Sequence, residues 1–115
     1  MNKGSLIKNI SFSEPLVLAN LVDYEEGRVV SRTFAQNKSL SLTLFAFDEE
    51  EGLSSHTAAG DAFVYVLDGE ASITIGDRDV VVRAGEVVVM PAHVPHALHA
   101  HQRFKMLLVV VKGGE

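Results

Sequence analysis

Turn signals recur about every ten residues along this chain, and the runs between them carry no sustained helical period. Asn37-Lys38, Asp68-Gly69, Gly76-Asp77 and Ala84-Gly85 punctuate segments rich in Val, Ile, Leu, Phe and Thr. Glycine enters positive φ without steric cost, and Asn or Asp bonds its own backbone in a turn. Each such pair therefore ends one extended run and allows the next. The spacing predicts an all-β sandwich or barrel of roughly eight to ten strands. A chain of 115 residues can bury a real core but is too short for two, so a single domain over 1–115 is expected.

Taken in order, residues 1–14 are polar and mixed and read as an N-terminal arm. Leu16 to Val22 is ambiguous between a short strand and a helical turn. Gly27 opens a better strand, Arg28 to Phe34. In Leu40 to Phe47, Leu40, Leu42 and Leu44 face one side and Ser41 and Thr43 the other, until Phe45 and Phe47 make that second side apolar too. Leu53 to Gly60 is small and irregular. Ala62 to Leu67 is apolar on both faces, which suits a strand packed on a core and against another layer or subunit. Asp68-Gly69 reads as a tight turn. Glu70 to Ile75, Arg78 to Arg83 and Phe104 to Val111 are further strands.

The most informative stretch is Gly85 to Ala100. Val87 to Met90 has the character of a buried strand. Pro91 stops it, because proline cannot donate to a ladder. Pro95 restricts the backbone just before His96. The turn thus delivers an imidazole at the start of the next strand, which marks a site.

Composition narrows the chemistry. The net charge is −5, and the acids cluster in Asp23 to Glu26 and Asp48 to Glu51. Those clusters read as solvated turns. With the basic residues scattered, neither nucleic acid nor an anionic membrane is expected as a partner. There is no cysteine, which excludes disulfides and thiolate metal sites; a metal would need His, carboxylate, backbone or water. Met1 to Asn9 lacks the apolar run and cleavage site of a signal peptide, and Met106 to Val111 is far too short to span a bilayer. A cytoplasmic location is the expectation. No phosphate-binding glycine loop and no nucleophile elbow occur.

Residues 40–112 resemble a small single-domain cupin, through two spaced motifs. The family's second motif runs Gly, five residues, Pro, one, Gly, two, His, three, Asn. Here it is Gly85, Pro91, His93 in place of the second Gly, His96, and Ala100 in place of Asn. The first motif closes on Gly69. Counting back puts Ala62 at its Glu position, Ala58 at its second His and His56 at its first. The resemblance implies a double-stranded β-helix, or jelly-roll barrel, and a homodimer. In metal-dependent members two His and a Glu of the first motif join the His of the second around one divalent ion; only His56 and His96 remain here. His93 in the turn, or Asp61 beside the missing Glu, would have to complete a set for Zn, Ni, Mn or Fe.

Two functions follow from these residues. One is a small-molecule binding or regulatory barrel with an incomplete His site. Ala62, Val64 and Leu98 would line its apolar pocket and favour a small, apolar or aromatic ligand. The other is a metal-dependent cupin enzyme of dioxygenase or isomerase type, using His56, His96 and either His93 or Asp61. His99 and His101 share the strand side opposite His96 and are expected outward or on the rim. Phe63, Tyr65, Leu67 and Met106 to Val111 would leave a large apolar outer face, which predicts a two-fold dimer.

Overall fold

Apolar runs bounded by turn residues form most of the strands. A computed structural model describes residues 5–113. It contains β1 (Val29–Gln36), β2 (Leu40–Phe47), β3 (Gly52–His56), β4 (Asp61–Ile75), β5 (Arg78–Arg83), β6 (Val87–Met90), β7 (His96–His99) and β8 (Phe104–Val111). All strand pairs are antiparallel. They curl into two facing sheets, β1-β2-β8-β4-β6 and β3-β7-β4-β5, joined through β4. The turn spacing predicts a sandwich or barrel, and the jelly-roll form is the one the family resemblance implies.

The Asp68-Gly69 signal is real, but the chain does not reverse there. β4 continues through it, pairing with β8 up to Gly69 and with β5 from Glu70. Gly69 has φ +72°, and the register with β8 shifts between Val66 and Asp68. The positive φ bends one long strand out of the first sheet and into the second. One open reading is decided and another changes. Leu16 to Val22 holds a short 3-10 helix, Leu18–Leu21, and the segment read as irregular after Gly52 begins with β3.

Alternation along β4 sends Ala62, Val64, Val66, Ala71 and Ile73 inward. They pack with Leu98, Met90 and Met106, while Phe47 stacks on Phe104 with ring centroids 4.4 Å apart. A second cluster lies outside the first sheet. There the segment before β1 covers Phe34, Leu44 and Ala46 with Leu18, Leu21, Val22 and Tyr24. Lys8 N donates to Phe34 O, Arg32 Nη1 to Leu21 O and Lys105 Nζ to Ala19 O, which fasten the segment down. The first four residues of the expected arm lie outside the described residues.

The acidic loop after β2 is not wholly solvated. Asp48 is buried and accepts from Arg103 Nε and from the Gly27 amide, each at 2.7 Å. The Arg103 hydrogen bond, then that amide, hold its carboxyl below the usual carboxylate range.

Candidate functional site

The turn from Pro91 to Pro95 is built as its prolines imply. Gly76 N donates to Pro95 O, Ala92 N to Asp61 Oδ1 and His93 N to Ala58 O, so the turn is bolted to the start and the end of β4. β7 then begins at His96, whose side chain points inward and is 4% exposed. His56, at the end of β3, is its cross-strand partner and stands exposed at the mouth.

The two imidazoles meet edge to face, Nε2 to Nε2, at 3.1 Å. His96 Nδ1 faces Val94 O at 3.2 Å and His56 Nδ1 faces Ser54 O at 2.8 Å. A carbonyl oxygen only accepts, so each Nδ1 satisfies it by carrying the proton. When both rings are neutral, both Nε2 atoms then present lone pairs to one gap. An electron-pair acceptor between them, or a ligand that donates to both, resolves the conflict. Anchoring Nδ1 on a carbonyl is also how a protein orients a histidine whose Nε2 is to be used.

The pair therefore suits two donor positions of a metal site, and no more. Among the described residues, no third His or carboxylate ligand atom lies within 4.8 Å of both. His93 is exposed with φ +66°, and Asp61 Oδ1 is engaged by the Ala92 amide. The structure brings His56 to His96 and leaves His93 and Asp61 apart from them. Ala62, Val64 and Leu98 are 2%, 0% and 4% exposed within the main core. They pack against protein: Met90, cross-strand from Ala62, belongs to the same cluster. The small residue at position 62 is matched by a large neighbour, so the interior is filled where an open pocket was expected.

Apolar space lies instead at the barrel's seam. β5 and β6 both pair with β4 and not with each other. Between them is a cleft of about 290 Å³ lined by Ile75, Arg78, Val80, Val88, Val89 and Pro91. One of its lining residues, Ile75, is the cross-strand partner of His96.

Glu50, His99 and His101 form a group outside the barrel that could hold a metal ion. The two histidines take the outward placement expected of them. Glu50 was hidden in a run of acids that read as solvated. The hint in the sequence is His-x-His at the end of the strand that follows the turn and just past it; nothing local pairs it with residue 50.

The "Cupin domain" family model matches residues 43–112. The uncharacterized protein SCO3923 of Streptomyces coelicolor is 34% identical over 77 residues, 67% of this chain and 73% of that protein. The conserved SPY1581 protein of unknown function from Streptococcus pyogenes superposes with a TM-score of 0.94 at 42% identity, covering 96% of this chain and 97% of that one. A cupin superfamily protein, DSY2733 of Desulfitobacterium hafniense, does so with a TM-score of 0.88 at 34% identity, over 93% and 98%. The chain belongs to the cupin family.

Proposed function

We propose that this barrel is a small-molecule binding or regulatory module, with the His56–His96 pair as its polar anchor. The observation that carries this is the pair itself: two convergent Nε2 atoms at 3.1 Å, with no third His or carboxylate ligand grouped with them among the described residues. A catalytic metal usually has three protein ligands and one open position. Two imidazoles hold a divalent ion weakly, which disfavours the dioxygenase or isomerase reading. The cleft is at the small end of ligand sites, and its lining is mostly aliphatic. It suits a small, largely apolar or aromatic ligand whose polar group reaches the imidazoles or Arg78.

The test is an NMR and thermal-shift screen of untagged protein against small aromatic acids and alcohols. Binding should raise Tm and move the signals of Ile75 and Val88. His96→Ala should weaken that binding by about tenfold, the effect of a lost hydrogen bond worth about 1.5 kcal/mol. No response to any compound would sink the reading. So would near-stoichiometric metal that disappears in His96→Ala, which would restore the enzyme reading.

We also propose that the protein works as a two-fold dimer. The N-terminal segment covers the β1–β2 part of the outer face. Beyond it Phe63, Val87, Val89 and Val111 remain exposed. Val87 and Val89 stand opposite Tyr65 and Phe63 on adjoining strands, so these side chains form one patch. A second copy of the same face would cover it.

A further inference from the structure

We propose a second cation site, separate from the imidazole pair: Glu50, His99 and His101 bind a divalent ion of the Zn²⁺ class on the outside of the barrel, with an open position towards a neighbouring groove. Strand alternation makes the two sites independent. In β7, His96 and Leu98 point inward, while Ala97 and His99 point out. His101 follows two residues on. The loop after β2 is laced to the residue between these histidines. Glu50 N donates to Ala100 O, and Ala100 N donates to Glu51 O. Three ligand side chains thus leave two short backbone segments that hydrogen bonds hold together.

Their ligand atoms all lie within 4.8 Å of one another. His99 Nε2 is 3.4 Å from Glu50 Oε1, and the two imidazole rings meet edge to face at 4.5 Å. Donors bonded at about 2.0–2.1 Å to a tetrahedral ion stand about 3.3–3.4 Å apart, so the Glu50–His99 pair already has the required separation. A His–Glu ion pair would account for that contact but gives no part to His101. Two imidazoles and one carboxylate suit zinc and its borderline neighbours better than magnesium or calcium, which prefer oxygen ligands. Three protein ligands leave the fourth position to water or a small anion. His99 and His101 also line a groove of about 370 Å³ with Ser72, Thr74 and Ala97. Ser72 is the cross-strand partner of His99. The groove therefore gives that fourth ligand a walled approach with hydroxyls beside it.

The experiment is calorimetric titration of untagged protein with Zn²⁺ at neutral pH, alongside NMR of the histidine ring nitrogens. Wild type should bind zinc with ring shifts at His99 and His101. His99→Ala, His101→Ala and Glu50→Gln should each weaken this binding tenfold or more, at or above the effect of disturbing a ligand's supporting shell. His96→Ala should leave it intact. His101 is exposed beyond the end of β7, so its variant is informative even if His99→Ala fails to fold. Unchanged zinc binding in His101→Ala and Glu50→Gln, or ring shifts confined to His56 and His96, would overturn the proposal.

Discussion

Asp48 and His96 are both buried polar side chains, and each is tolerated because a partner is built for it. For His96 it is the Val94 carbonyl, which accepts the Nδ1 proton. For Asp48 it is a guanidinium and a backbone amide, and this has a consequence in acid. A carboxyl held below its ordinary range contributes stability that is fully present above the unfolded value of about 4. That contribution is lost as pH falls through the lower folded value. Asp48→Asn should therefore be less stable than wild type near neutrality, and the two should converge as pH drops below about 4. Urea unfolding from pH 7 to pH 2 reads this directly; a constant gap would contradict it. The burial of Asp48 was not legible among four consecutive acids. Its partners, Gly27 and Arg103, are distant in sequence and say nothing locally.

At the scale of elements, β4 organises the barrel. It borders β5, β6, β7 and β8 and passes from one sheet to the other at Gly69. A Cβ at Gly69 would meet the carbonyl oxygen of Arg103 as well as an unfavourable φ. Gly69→Ala should destabilise the protein by about 2–4 kcal/mol, a strained backbone compounded by a backbone clash. Chemical denaturation measures it, and a loss below about 1 kcal/mol would mean that the crossover can relax. The strand runs from β4 to β8 were readable because alternation and β-branching act locally. β3 was not, since Ser54, Ser55 and His56 are exposed and carry no apolar alternation. The N-terminal helical turn was ambiguous for a related reason. Its leucines gain their burial from Phe34 and Leu44, which no local window contains.

The whole molecule presents two unlike faces. One half of the first sheet's outer surface is covered by its own chain. The other half is the patch around Phe63 and Val89 proposed as the dimer contact. A lysine at Val89, half-exposed in the monomer, places a charge in that contact with little effect on the core. Val89→Lys should convert a dimer into a monomer by light scattering while Tm of the monomeric fold is retained. A wild-type monomer at micromolar concentration would refute the dimer. The same scale governs the histidines. His56 and His96, forty residues apart, are paired in the sequence through the family resemblance and its motif spacing. Neither can reveal what surrounds them.

By itself the sequence determined an all-β sandwich or barrel, most strand positions, the proline-framed turn and the inward direction of His96, and its family resemblance pointed to the jelly roll. Turns and alternation are short-range effects of φ preference and hydrophobic burial, and they are written residue by residue. Only the tertiary structure decided that Asp68-Gly69 bends a strand without reversing it. It alone filled the interior around Ala62, Val64 and Leu98, held Asp61 and His93 apart from the imidazole pair, and brought Glu50 to His99 and His101. Those outcomes depend on cross-strand register and three-dimensional packing, which join residues that no local pattern relates.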